Sequence, residues 1–404
     1  RERLATLWRA QRRELLAAEA LFLVAFLGYL AFRAYDPAIN HTEKLMDFLF
    51  LNAALHAPSF PPEDPWLAGY PVSYYYFGYL VVAALTKLTG VPSSVGYNLG
   101  VALVPALAGA AAFGLADDLV RLRGAARPTA LGYAALAPLL LTVVGNLEGV
   151  LEFVRARGWG SAAFWAWVGI DGLTAPAAAA PGLYPQEAGW WWWRATRVIN
   201  TFRDGQGLDY TITEFPFFSY LLGDLHPHVT AQPFVLLALG LALHLYLASK
   251  PLRLAWVWER PGEVLVAALV VGGLAFLNTV DLPTFAFVLG VGVLLQAYAR
   301  GGRRGLVAAL PPLALLGLLA LAFYSPFYAT FHSQARGVWP VLGVHTRPLH
   351  FALVWGLLGL VSASFVVRQL FHLPHSPGGW REGLLPAVAL PLLPLAVWLA
   401  CALT

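Results

Sequence analysis

Unbroken apolar runs recur along the chain, at 14–34, 97–119, 129–145, 229–249, 263–279, 282–299, 305–325, 349–370 and 383–403. Each is about 20 residues, the length of helix that crosses the hydrocarbon core of a bilayer. Inside that core every backbone N–H and C=O must find its partner within the segment or a closed barrel. Barrel strands would alternate polar and apolar residues over short stretches, whereas these runs are continuous Leu, Ala and Val. A soluble chain of 404 residues, 59% hydrophobic and 12% charged, could not hide so much apolar surface. The sequence therefore predicts an all-α, polytopic transmembrane helical bundle, organised as one integral membrane domain over 1–404.

The placement of Lys and Arg sets the expected orientation. Arg1, Arg3, Arg9, Arg12 and Arg13 assign the N-terminus to the cytoplasm. Arg121/Arg123/Arg127, Lys250/Arg253/Arg260, Arg300/Arg303/Arg304 and Arg368/Arg381 fall on the same side. The segments 36–96, 146–228 and 326–348 then face outward, and the expected location is the plasma membrane. The stretch 74–90, "YYYFGYLVVAALTKLTG", is apolar enough to suggest a further span. Counting it would throw the Arg121–Arg127 cluster outside, so it is expected to lie at the outer interface as a short amphipathic helix. Its tyrosines suit the headgroup layer. The chain opens on Arg1 and closes on Thr404 inside an apolar run; a fragment or processed piece of a longer membrane protein is expected. The single cysteine, Cys401, excludes an internal disulfide framework.

Titratable side chains gather on the predicted outer side. Seven of the ten histidines lie there or at its edge: His41, His56, His226, His228, His332, His345 and, just past the boundary, His350. The stretch 36–73 carries Asp36, Glu43, Asp47, Glu63 and Asp64 against a single Lys44. A through-going transport path would more often bury its ionisable groups at mid-span, so the pattern favours an external site near the membrane surface.

In "LLGDLHPHV", 221–229, Pro227 is suited to the first turn of a helix, and it pushes His226 out of helical geometry. Asp224 and His226 then share one side of an extended approach, with His228 in the first turn. Such a turn also presents free N–H groups. Asp224, His226 and His228 are the expected ligands of a divalent cation, Mg or Mn, or the partners of a phosphate; a polar helix cap facing headgroups fits the same residues. Asp47 sits in "TEKLMDFLFLNAAL", which reads as a short helix with Glu43 on the same face. It suits a carboxylate that takes a proton from an acceptor hydroxyl, and equally a solvated helix face. Asn146 and Glu148 end the third run, Glu214 precedes Asp224, and Asn278 and Asp281 mark a Pro-broken hairpin. Arg194, Arg197 and Arg336 suit a phosphate by bidentate donation, or lipid headgroups. The aromatics Trp190–Trp193 and Tyr74–Tyr76 suit interfacial anchoring, or stacking on a sugar or a polyprenyl chain. No Walker-type loop, dinucleotide fingerprint or nucleophile elbow occurs, and nothing points to nucleic acid.

The stretches "DPWLAGYPVSYYYFGY" (64–79), "WWWWRATRVI" (190–199), "EFPFFSYLLGDLHPHV" (214–229) and "FLNTVDLPTF" (276–285) resemble the "YYY" family of uncharacterised multi-pass membrane proteins. The order of span, acidic residue, Pro-rich stretch, aromatic interfacial helix and span is also similar to glycosyltransferases of the GT-C superfamily. That wider likeness implies a GT-C-like bundle that moves a sugar from a polyprenyl-phosphate carrier to an acceptor on the outer face. It implies Asp47 and Asp224 as the catalytic carboxylates, with Arg197, Arg336 and Tyr75 toward the lipid-linked donor. Phe48 follows Asp47 where a second acidic residue is common in that superfamily. The competing expectation is a non-enzymatic scaffold subunit, with further membrane subunits as partners, or a lipid-handling transporter.

Overall fold

The computed structural model describes residues 2–175, 191–203, 206–250, 252–333 and 345–371, with 392 and 396. Along the chain the first helices are α1 (Glu2–Tyr35), α2 (Lys44–His56), α3 (Phe77–Thr89), α4 (Ser93–Leu122), α5 (Arg127–Ala134) and α6 (Leu136–Thr142). Short helices α7 (Glu148–Ala156), α8 (Ala162–Val168) and α9 (Trp191–Arg194) follow. A two-stranded hairpin of β1 (Asn200–Arg203) and β2 (Gln206–Tyr210) comes next. Then come α10 (Pro216–Leu222), α11 (Pro227–Thr230), α12 (Gln232–Leu247), α13 (Trp256–Glu259), α14 (Pro261–Leu277), α15 (Asp281–Phe323), α16 (Ser325–Thr330) and α17 (Pro348–Phe371). Five helical stretches among the described residues are long and apolar enough to cross a membrane: Trp8–Tyr35, Ser93–Leu122, Pro227–Leu247, Asp281–Phe323 and Pro348–Gln369. The all-α, membrane-type bundle expected from the apolar runs is the fold observed.

Several runs differ in detail from their expected form. The run at 129–145 is two short helices, because Pro138 has no N–H and its ring crowds the carbonyl four residues back, at Ala134. The runs at 282–299 and 305–325 lie within α15, interrupted at Gly302, whose φ is +54°. A Cβ on Gly305 would fall 2.1 Å from the Ala297 carbonyl oxygen. In a straight helix those residues would be separated by about two turns, so the chain doubles back at 300–304. The stretch at 74–90 becomes helical only at Phe77 and runs for 13 residues, too short to span. Most of the run at 383–403 lies outside the described residues.

The chain divides into two compact units. The first comprises Arg1–Val144 and Ser219–Ser333. Here α1 lies along α4, and α12, α14 and α15 pack together. One core joins Phe50 and Leu51 of α2, Tyr76, Tyr79 and Val82, Tyr97 and Val101 of α4, Leu225, and Phe276 and Phe327. A second core at the other end of the long helices joins Leu245, Trp256, Ala267, Val293, Ala309 and Leu316. The close approach of α3 to α11 requires a glycine: a Cβ on Gly78 would lie 2.4 Å from Thr230 Oγ1. The second unit comprises Gly145–Phe218 and Gln334–Thr404. Its core gathers Trp165, Val168, Ile170, Leu173, Val198 and Leu353.

Candidate functional site

The first unit concentrates acids and imidazoles around the start of α2 and the approach to α11. Three local features build this cluster. His41 and Thr42 both take left-handed φ values, 60° and 49°, a conformation that is costly for residues with a Cβ and that persists only where its surroundings enforce it. The turn aims Thr42 Oγ1 at Asp224 Oδ1, to which it donates at 3.0 Å. The second feature is Gly223, whose φ of +74° ends α10 and turns the chain into Asp224. The third is the His226–Pro227 step. His226 has φ −59° and ψ 150°, and Pro227 opens α11, as the sequence predicts.

Asp47 lies in the first turn of α2 and is 0% exposed. Its Oδ1 accepts the hydroxyl of Tyr79 at 2.5 Å and its Oδ2 that of Tyr97 at 3.5 Å. His226 Nδ1 stands 3.7 Å from Asp47 Oδ1 and 2.8 Å from Glu43 Oε2. The Nε2 edge of the same ring is 3.4 Å from the hydroxyl of Tyr74. Asp224 is buried and receives the Lys44 ammonium at 3.9 Å in addition to Thr42. Tyr97, besides reaching Asp47, donates to the Gly223 carbonyl at 3.4 Å, so one phenol ties the Asp47 helix to the Asp224 turn. Nearby, Arg33 ends α1 and donates to Asn98 at 2.6 Å and to the Ala38 carbonyl at 2.8 Å, which fixes the loop leading to Thr42.

These contacts set the charges. Burial and the neighbouring Asp47 push the Asp224 carboxyl up to about 6, against the pull of Lys44, Thr42 and His226. Burial pushes the Lys44 ammonium below its ordinary value, and Asp224 partly restores it. Burial also opposes charge on His226. The contact with Asp47 and the charges of Asp47, Glu43 and Asp224 outweigh it, and the imidazole is held above its ordinary value. Burial and Asp47 keep the Tyr79 phenol protonated, which suits a donor to a carboxylate. The solvent-facing part of the cluster is Glu43, 58% exposed, with the half-buried ring of His226.

The expected site residues thus divide. Asp47, Asp224 and His226 come together in the first unit. His228 lies beside them, its ring centroid 5.2 Å from that of His226, and it also feels the charge of Asp281. Tyr75 packs on Tyr74 and Phe331 a short way along the same core. Arg197 belongs to the second unit, where its guanidinium lies 3.5 Å above the Trp193 ring and contacts Thr196. Arg336 and Trp190 lie outside the described residues. Glu148, in the second unit, is fully buried beside Glu152, which takes Arg194 at 2.7 Å.

A divalent cation finds no ready ligand set in this arrangement. Among the described residues no three His, Cys, Asp or Glu side chains converge as metal ligands. Asp224 already faces an ammonium and a hydroxyl, while the Nδ1 edge of His226 is turned to two carboxylates. The groups that complete the cluster, Thr42, Lys44, Tyr79 and Tyr97, are not singled out by spacing. A signal for the tyrosines does exist: a carboxylate buried in so apolar a chain must find donors, and Tyr79 and Tyr97 lie on helices that flank α2.

The family described as "Uncharacterized membrane protein (DUF2298)" matches residues 1–404. No curated protein and no solved structure matches the chain.

Proposed function

We propose that this chain, which belongs to the DUF2298 family of uncharacterized membrane proteins, is a membrane glycosyltransferase that uses a polyprenyl-phosphate-linked sugar at the outer face of the plasma membrane. The observation that carries the reading is the pairing of a sealed carboxylate with an accessible acid–base edge. Asp47 is 0% exposed and held by two phenols, whereas Glu43 stands mostly in solvent and touches the half-buried ring of His226. Asp47 acts as a positioning residue that fixes the imidazole. Glu43 accepts the proton of the acceptor hydroxyl as that oxygen attacks the anomeric carbon. The bond from that carbon to the phosphate oxygen breaks, and the electron pair leaves with the polyprenyl phosphate. His226, whose carboxylate neighbours favour the protonated form of its ring, is the donor that receives the leaving phosphate. Because the leaving group is a stable phosphate, positioning and charge neutralisation carry the rate. No step is routed through Mg or Mn, since Asp224, His226 and His228 are otherwise engaged.

The test is transfer from a labelled polyprenyl-phosphate sugar by the reconstituted chain. Glu43→Gln and His226→Ala should each lower turnover by about 100-fold or more, the scale of a lost acid–base group. Wild-type turnover in both variants would refute the assignment. A second reading, a non-enzymatic scaffold or lipid-handling component, draws on the same complete burial of Asp47, whose oxygens already hold Tyr79 and Tyr97. It predicts that no sugar is transferred and that Asp47→Asn changes only stability.

A further inference from the structure

We propose that the end of the α12–α14 hairpin remote from the acidic cluster is a binding site for the headgroup of an anionic phospholipid. The stretch Pro227–Leu247 starts beside His226 and runs 21 residues. At about 1.5 Å per residue that is roughly 30 Å, the thickness of the hydrocarbon core. Its far end therefore meets the opposite membrane boundary. There a cavity of about 390 Å³ is lined by Leu245, Lys250, Arg253, Trp256, Arg260 and Glu263, among others.

The charges in this cavity are unevenly matched. Glu263 is committed to Arg260 at 3.1 Å and to the Trp256 indole N–H at 3.1 Å, with His244 3.7 Å away. Glu259 lines the cavity as well. Lys250 and Arg253 also face it, and neither forms an ion pair or side-chain hydrogen bond among the described residues. The loop that carries them is fixed from below: Gln296, buried in α15, donates to the carbonyls of Ala248 at 2.8 Å and Lys250 at 2.9 Å. The surroundings are apolar and outward-facing. Tyr246, Leu247 and Leu254 are exposed, and Trp258 is 77% exposed. A pre-set basic hollow ringed by exposed aromatic and aliphatic side chains at a bilayer boundary matches a phosphate ester that carries acyl chains. A free anion would use the two cations and leave the apolar ring unsatisfied.

The test uses the full chain purified in detergent, with lipid binding followed by native mass spectrometry. The added lipids are phosphatidylglycerol or phosphatidylcholine, and inorganic phosphate serves as competitor. Phosphatidylglycerol should be retained at least ten-fold more tightly than phosphatidylcholine. Lys250→Gln and Arg253→Gln should each weaken it about five-fold, the effect of one basic residue at an anionic surface. The double variant should bind both lipids alike while keeping the melting temperature of the parent in phosphatidylcholine. Equal retention of the two lipids, or unchanged retention by the double variant, would overturn the proposal. Displacement by millimolar inorganic phosphate would overturn it too, in favour of a soluble-anion site.

Discussion

Glu148 offers a perturbation whose size follows from its surroundings. It opens α7, is 0% exposed, and among the described residues no N–H donates to its carboxyl oxygens. Glu152 lies one turn on, equally buried, with Oε1 on Arg194 at 2.7 Å and Oε2 without an N–H donor among the described residues. Two ionised carboxylates could not share that space, and a proton held between them relieves both. Burial first, and then the charge of Glu152, push Glu148 up from 4.5 to about 9, against a smaller pull from Arg194. The folded state therefore holds this proton more tightly than the unfolded chain does. The stabilisation is complete below about pH 4.5 and is lost as pH rises toward 9. At pH 7 the 2.5 units above the unfolded value correspond to about 3 kcal/mol, at 1.36 kcal/mol per unit. Glu148→Gln keeps the shape, carries no titratable proton and offers Glu152 an amide donor. The variant should match the parent near pH 5 and exceed it by about 3 kcal/mol near pH 7, with the gap widening to pH 9. Thermal unfolding in detergent across that range reads the difference. Parallel pH curves for parent and variant, or a variant less stable at every pH, would show Glu148 to be ionised and paired, and the argument would fail.

Tyr79→Phe removes the 2.5 Å donor from a buried carboxylate and should cost about 1–3 kcal/mol by thermal unfolding; pairing it with Asp47→Asn should recover much of that loss. Lys44→Met takes away the ammonium that holds Asp224 down, so the Asp224 carboxyl should titrate above its value of about 6, as read by infrared difference spectroscopy. Gly223→Ala meets only ordinary contacts, with Val101 at 3.6 Å, so its cost is that of the left-handed backbone, about 1–2 kcal/mol. Gly78→Ala meets Thr230 Oγ1 at 2.4 Å, forces α3 from α11, and should lower stability by more, with the deficit reduced in Thr230→Ala, which removes that oxygen.

The contrast between what the sequence yields and what it withholds follows from the range of the forces involved. The bilayer imposes its length on each run by itself, so 14–34, 97–119 and 349–370 lie inside α1, α4 and α17 without knowledge of any neighbour. Local stereochemistry is equally direct: the His226–Pro227 step alone dictates an extended residue followed by a helix start. The same rule, applied to Pro138, would have divided the 129–145 run. The pairing of β1 with β2 is a different matter, since length and hydropathy suggest nothing of it. The acidic cluster was only partly legible. Asp47, Asp224 and His226 announce themselves as rare polar groups in an apolar chain. Their partners come from places that composition assigns to other roles: Tyr79 from an expected headgroup belt, Tyr97 from a span, and Thr42 from a strained turn.

Those partners change what the cluster can do. A carboxylate exposed at a loop would be free to ligate a cation. A carboxylate enclosed by two phenols, as Asp47 is, can only orient what touches it. The chemically available groups are then those it orients, and Glu43, which reads as solvated decoration one turn before Asp47, is the carboxylate with access. If the site transfers anything, Glu43→Gln should be at least as damaging to turnover as Asp47→Asn, and should leave the melting temperature nearly unchanged, since Glu43 is mostly in solvent. Asp47→Asn should instead lower both. The opposite ordering, with full turnover in Glu43→Gln and loss only where Asp47 is changed, would return the chemistry to the buried acid and require a path for substrate that Tyr79 and Tyr97 now close.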